Sequence, residues 1–326
     1  MNGILCMNKP QDFTSFDVIG KLRGILKMKR LGHAGTLDPM ATGVLPVFVG
    51  TATKACDILP NNEKSYLAGF RLGVVTDTQD VTGKIISQSD IKVTKDELSA
   101  VIPSFCGNIK QLPPMYSAVQ VNGKRLYDLA RQGIEVEREL RDAFIEEIRL
   151  EEFDEEKMEG KLFVSCSKGT YIRTIINDIG EMLGCGGIMT DLVRLSSAGF
   201  KLEQCYTFEE VEKARDEGRL DELIIPVEAV FQTLPKLRFN EAQTRMYKNG
   251  VKLDLTKIYN IKPDENSYAV YGNDGIFIGT AFTDRENGVL KVGKNFSEEE
   301  GLCLRKITAA LSHLEFLTVF TSVTEK

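Results

Sequence analysis

The sequence predicts a two-domain α+β protein, with a large mixed domain over 1–232 and a small β-rich domain over 233–326. Three observations lead there. A chain of 326 residues accommodates two domains of roughly 100–200 residues each. Strand-like alternating runs are interspersed with capped helical segments up to about residue 230. Past Ile225-Pro226 and the Thr233–Leu237 stretch, the pattern changes to short strands separated by Asn, Asp and Gly turns.

In chain order, Gly3–Met7 reads as an apolar strand closed by Lys9-Pro10. Thr14-Ser15 then caps a helix whose apolar positions are Phe16, Val18, Ile19, Leu22, Ile25 and Leu26. The span Arg30–Lys54 follows, with four glycines, two prolines, His33 and a single carboxylate, Asp38. Glycine opens backbone shapes that other residues resist and proline fixes φ, so His33–Pro39 reads as an irregular loop held in one conformation. Val44–Val49 is apolar and β-branched, a buried strand fed by that loop. One acid presented at a strand entrance is a candidate active site, although an Asp-Pro turn alone would give the same local pattern.

A short helix follows from Thr51 or Thr53 to Leu59, then an alternating strand over Lys64–Leu72. Thr76–Gly83, with Asp77 and Asp80, reads as a polar turn because the further ligands of a calcium loop are missing. Thr94-Lys-Asp-Glu97 is a capping box for a helix to about Val101. After Gln111-Leu-Pro-Pro114 come a short strand, an Asn122-Gly123 turn and a cluster of Lys124, Arg125, Tyr127 and Arg131, a mixture suited to phosphates and stacked bases. Runs at Phe144–Phe153 and Leu162–Ser165 are strands around an acidic turn. Tyr171 opens a helix with Arg173 in its first turn, and Thr207 caps another. The smaller domain has a helix over Asn240–Lys248 and strands near Tyr268–Tyr271, Gly275–Thr283 and Val289–Val292.

Composition narrows the function classes. The net charge of −6 argues against indiscriminate polyanion binding but leaves room for a local basic face. Seven scattered cysteines, none in a C-x-x-C pair, fit reduced thiols in a cytoplasmic protein. With only His33 and His313, a His-rich metal site has no ligands to draw on. No apolar run reaches the roughly 20 residues of a membrane span, and the N-terminus lacks the pattern of a secretory signal.

The loop GHAGTLDPMATGVLPVFVGTATK (32–54) resembles the long signature of the TruB family of tRNA pseudouridine-55 synthases. Further likenesses come in the family's order: Lys9-Pro10 with Thr14-Ser15, KSYLAGFRLGVVTDTQDVTG around Tyr66, QLPPMYSAVQVNGKRLYDLARQG, then Gly169-Thr-Tyr171-Ile-Arg173. LVRLSSAGF (192–200) follows, with Ala198 at a family glycine position. The resemblance covers about residues 2–230. It implies a pseudouridine-synthase fold, a mixed and largely antiparallel sheet flanked by helices, with a PUA-like C-terminal domain. It also implies isomerisation of one T-arm uridine of tRNA in the cytoplasm by a monomer, without metal, cofactor or guide RNA, and assistance to tRNA folding.

By the same resemblance, Asp38 is the nucleophile, Arg173 its partner, and Tyr66 the residue that packs on the uracil and serves the C5 proton step. Whether Asp38 attacks sugar or base is left open. His33, Lys9, Tyr171, Lys124, Arg125 and Arg131 are expected at the RNA, the last three from a thumb over about 107–133. Gln120 stands where many relatives have lysine, which removes one charge from that thumb. The competing reading is an RNA-binding protein that assists folding with little catalysis, but binding alone has no need of Asp38, Tyr66 and Arg173 together.

Overall fold

The computed structural model describes residues 1–121 and 123–297, so Asn122 of the expected turn and the end of the expected second domain lie outside the described residues. The chain divides into two compact units between Pro226 and Val227. Aromatic packing places the short turn of helix at Val227–Phe231 in the second unit: Phe231 stacks on Phe277 and meets Phe296 at a tilt.

Nine strands form the sheet of the first unit. They are β1 (Gly3–Lys9), β2 (Leu31–His33), β3 (Thr42–Val49), β4 (Lys64–Leu72), β5 (Gly107–Gln111), β6 (Arg141–Asp154), β7 (Glu159–Cys166), β8 (Gly187–Ser197) and β9 (Phe200–Lys201). Their order is β1-β3-β8-β4-β7-β6-β5, with β2 also paired to β3 and β9 to β8. All these pairings are antiparallel except β8 with β3, where Val193 lies opposite Thr42 and Arg194 opposite Gly43. The fold is therefore the mixed, largely antiparallel α+β sheet that the sequence predicts.

Helix α1 (Ser15–Leu26) begins at a capping box between Thr14 and Asp17. It buries Val18, Ile19, Leu22, Ile25 and Leu26 against Leu5, Met7, Leu45 and Val47 of the sheet, each such side chain contributing roughly 1.5–3 kcal/mol. Phe16, expected on that apolar face, is instead 65% exposed and lies under the Arg23 guanidinium. Helix α4 (Ile172–Met182) buries Ile172, Ile175, Ile176 and Ile179 in a second core with Phe70, Leu162 and Met189. The short helices α2 (Lys95–Val101) and α3 (Leu126–Arg131) and helix α5 (Phe208–Asp216) complete the unit.

The second unit is PUA-like in architecture. Helix α6 (Glu241–Lys248) accompanies five strands, β10 (Lys236–Arg238), β11 (Leu253–Asp254), β12 (Ser267–Tyr271), β13 (Phe277–Asp284) and β14 (Val289–Asn295). They are ordered β10-β12-β13-β14-β11 around a core of Leu237, Phe239, Tyr247, Tyr268 and Val270.

Candidate active site

The loop from Ala34 to Ala41 owes its shape to bonds from four directions. Ser15, in the first turn of α1, receives the Leu37 amide on its hydroxyl at 2.9 Å. The Asp12 amide donates to the Pro39 carbonyl at 2.9 Å, and Lys9 Nζ donates to the same carbonyl at 3.0 Å. Arg194 reaches in from β8, giving Nη2 to the Gly35 carbonyl at 3.0 Å and Nε to the Val44 carbonyl at 2.7 Å. That approach depends on Gly43 (φ +104°), where a Cβ would fall 2.2 Å from the Arg194 carbonyl oxygen.

Asp38 projects from this loop with its side chain 36% exposed. Arg173, almost wholly buried in the first turn of α4, binds it as a fork: Nε to Oδ2 at 3.0 Å and Nη2 to Oδ1 at 3.3 Å. The remaining donors of the guanidinium go to Thr78 O (3.0 Å), Tyr116 O (3.0 Å) and Asp80 Oδ2 (3.5 Å). A cation at a helix N-terminus opposes the helix dipole, and here two carboxylates and two carbonyls offset that cost. The four Nη hydrogen bonds, with Nε in ion-pair contact with Oδ2, fix the plane of the guanidinium against Asp38. Burial raises the Asp38 pKa above its ordinary value of 3.8, with Asp80 adding to the rise, while Arg173 and Lys9 oppose it.

Asp80 is a partner of Arg173 that the sequence did not disclose. It lies in the segment read as a polar turn, and the turn is there, but its carboxylate is buried. Oδ1 accepts from the Thr78 hydroxyl at 2.7 Å and the Thr82 amide at 2.9 Å, which leaves Oδ2 for the guanidinium. Arg194 was also missed, although it sits inside a quoted motif. Its signal was its place in that motif, between Val193 and Leu195, and the β8–β4 register sets it directly opposite Tyr66. Directly opposed residues share a face of the sheet.

Tyr66 is buried on β4, and its phenol is pushed up to about 12 by burial, with Arg194 pulling the other way. It is a neutral phenol at pH 7. His33, on β2, has its pKa lowered by burial and by Arg194, and its Nδ1 makes no hydrogen bond among the described residues. Tyr171 precedes α4 and is held by two bonds with buried Gln111: its amide donates to Oε1 at 3.0 Å, and Nε2 donates to its carbonyl at 3.2 Å. The root of the thumb thus fixes the turn that carries Arg173.

Lys9 was expected at the RNA, yet it is wholly buried, with Nζ donating to the carbonyls of Pro10, Phe13 and Pro39. Burial lowers its pKa to about 8, opposed by Asp38 and Asp12. It braces the Ala34–Ala41 loop through the Pro39 carbonyl. In the thumb, Gln120–Val121 and Lys124–Arg125 pair as a small hairpin ahead of α3. Lys124 and Arg125 are exposed, and Arg125 and Arg131 both lie over the Tyr127 ring, 5.8 and 5.5 Å from its centroid. Among the described residues no group of three or more His, Cys, Asp or Glu side chains could hold a metal ion. Nor is any helix among them long and apolar enough to cross a membrane.

Residues 23–172 match the model of the TruB family pseudouridylate synthase N-terminal domain, and residues 173–232 match a tRNA pseudouridylate synthase B C-terminal domain. A protein named tRNA pseudouridine synthase B from Clostridium perfringens strain 13 is 42% identical over 304 residues, 92% of this chain and 100% of its own length. One of the same name from Geobacillus kaustophilus is 44% identical over 261 residues, covering 78% of this chain and 92% of its own. Among solved structures, a Cbf5-Nop10-Gar1 complex contains a chain that superposes with a TM-score of 0.71 at 26% identity, over 90% of this chain and 85% of that one. With identity of that order across nine-tenths of its length, this chain belongs to the TruB family of pseudouridylate synthases.

Proposed function

We propose that this isomerase converts one uridine of tRNA, at position 55 in the T-arm loop, to pseudouridine, with Asp38 as nucleophile and with neither cofactor nor guide RNA. The reading rests on one observation above the others: a partly open carboxylate gripped by both edges of a buried arginine fork. A site that only bound RNA would have no use for that arrangement.

In the reaction the N1–C1′ bond breaks, the uracil turns, C5 bonds to C1′, and the C5 proton is lost while N1 regains one. Atoms and electrons balance without oxidant, reductant or group donor. Asp38 adds covalently to the nucleoside, at the sugar or at the base. Arg173 favours its ionised form and fixes its aim, while partial desolvation makes the carboxylate a stronger nucleophile than it would be in water. The target uridine leaves its stack at a cost of a few kcal/mol. Tyr66 packs against the extruded base, and Arg194 beside it is the cation that would support a phenolate during C5 proton removal. His33 and Tyr171 contact the RNA near the extruded nucleotide. Lys124, Arg125 and Arg131 take backbone phosphates, and Lys9 acts only through the loop it braces. The PUA-like unit adds RNA surface, and the protein works as a cytoplasmic monomer that also assists tRNA folding.

Tritium release from an unmodified tRNA transcript carrying 5-tritiated uridine tests the reading, without added metal or guide RNA. Stoichiometric release of one T-loop tritium is expected. No release at stoichiometric enzyme, with tRNA binding intact, would overturn it.

A further inference from the structure

A cavity of about 310 Å³ opens beside the nucleophile's loop, and its lining includes Gly35, Asp57, Asn62, Lys64, Lys168 and Ser197. Its walls come from the segments that carry the active site. Gly35 is three residues before Asp38, Lys64 two before Tyr66, Lys168 five before Arg173, and Ser197 three after Arg194. By chain length alone, Gly35 and Asp38 have Cα atoms within about 11 Å of each other, so the cavity adjoins the reacting centre. Its size suits a small polar group or part of a nucleotide.

The charges at this cavity are out of balance. Two lysines line it against one carboxylate, Asp57. Lys64 Nζ donates to the Asn62 carbonyl at 3.0 Å and has no ion-pair partner within 4.0 Å among the described residues. Arg194, wholly buried behind Gly35, keeps Nη1 without a hydrogen bond among the described residues. Gly35 (φ +81°) holds the space between these cations open: a Cβ there would lie 2.9 Å from Lys64 Cε and 3.3 Å from Arg194 Nη1. Burial of a cation without a partner is costly, and the cost is recovered when an anion enters. Burial, with Arg194 and Lys168 nearby, has already drawn the Lys64 pKa down to about 8.

We infer that this cavity is a phosphate subsite, in which Lys64 receives the RNA phosphodiester next to the extruded uridine, with Lys168 at the rim. The subsite rests on the RNA-modifying role proposed above and extends it from a base pocket to a two-point grip on one nucleotide step. Phosphate binding at Lys64 fixes the register of the strand relative to Asp38, so it selects which uridine enters.

The test uses the full chain and T-arm stem-loop RNAs in which each linkage within two nucleotides of the target is replaced singly by an uncharged methylphosphonate. Kd and steady-state turnover are read for wild type, Lys64→Met, Lys64→Arg and Lys168→Ala, with thermal melts confirming folding. Lys64→Met is expected to weaken binding about tenfold, the scale of one well-formed charge-assisted contact, and to raise KM by more than it lowers kcat. Neutralising one linkage should weaken wild type by a similar factor and add nothing to Lys64→Met, while Lys64→Arg restores most of the affinity and Lys168→Ala gives a smaller loss at the same linkage. Additive losses at every linkage, or Lys64→Met binding as tightly as wild type, would remove the subsite. Should Lys64→Met fail to fold, Lys168→Ala decides by the same coupling. Failure of the wild type to turn over the unmodified stem-loop counts against the functional reading, whereas Kd still reports on the subsite.

Discussion

Charge is buried around Asp38 and exposed in the thumb, and the two regions hold it by different means. At the loop, Lys9, Arg173 and Arg194 are each at most 4% exposed and donate to carbonyls or carboxylates from several elements. In the thumb, Lys124 and Arg125 project from a two-residue hairpin, and the organising contact is the Tyr127 ring shared by Arg125 and Arg131. Buried charges interact strongly and are little affected by salt, so they suit a step in which one carboxylate must keep its direction. Exposed charges are screened and mobile, and suit capture of a phosphate backbone in many starting poses. Substitutions in the first region should therefore appear in turnover, and those in the second in affinity and its salt dependence.

The sharpest way to break that division is Asp38→Asn. Turnover should fall by at least about 1000-fold with tRNA affinity largely unchanged. The folded protein binds a proton at Asp38 more tightly than the unfolded chain does, so this group's contribution to stability is lost as pH rises from the unfolded value of 3.8 through the raised folded one. Asn at this position should thus melt no lower than wild type at pH 7. In wild type, kcat/KM should decline on the acid side through a pKa above 3.8. A melting temperature well below wild type would show that Asp38 is structural.

Next in size is Arg173→Lys, which keeps the charge but loses the fork. Turnover should drop roughly 100-fold, because a lysine cannot orient both carboxylate oxygens. Arg173→Ala should in addition destabilise the protein by about 3 kcal/mol, since Asp80 is left buried without its cation. Equal activity of Lys and Arg at 173 would mean that charge, and not direction, is what Asp38 needs.

Lys9→Met probes the boundary between the regions, as a lysine that looks like an RNA contact but is placed as a brace. It takes the Lys9 donor from the Pro10 and Phe13 carbonyls and leaves the Pro39 carbonyl with the Asp12 amide, so a stability loss of about 2–3 kcal/mol is expected, with a turnover loss of about tenfold and the same salt slope as wild type. A flattened salt slope would return Lys9 to the RNA interface. The smallest catalytic effect belongs to Lys124→Ala with Arg125→Ala. Affinity should weaken about tenfold and the slope of log K against log salt should fall by about 1–2, with the loss seen in KM rather than kcat.

The placing of the loop, Tyr66 and Arg173 near one another was legible in the sequence because each lies in a contiguous motif. Asp80 was not, because its role comes from a contact with Arg173, 93 residues away, and a local reading sees only a turn. The burial of Lys9 was not legible for a related reason: a lysine before a proline reads as surface, and only the packing of β1 against the Pro39 carbonyl shows it to be interior. Arg194 was visible as a motif residue but acquires a use only once the β8–β4 register sets it opposite Tyr66. The strands and helices came through well because alternation and capping boxes at Thr14, Thr94, Thr207 and Asn240 are local signals.

The bonds between Gln111 and Tyr171, and from Arg173 to the Tyr116 carbonyl, have a consequence for how this enzyme can change. They pin the root of the thumb to the helix that carries the arginine, while the tip beyond it is free of that duty. Segments whose ends are anchored and whose tips are exposed tolerate insertion and exchange. The tip can thus be lengthened, recharged or replaced to suit a differently shaped RNA without re-aiming Asp38, so substrate range and chemistry are separable targets for selection and for engineering.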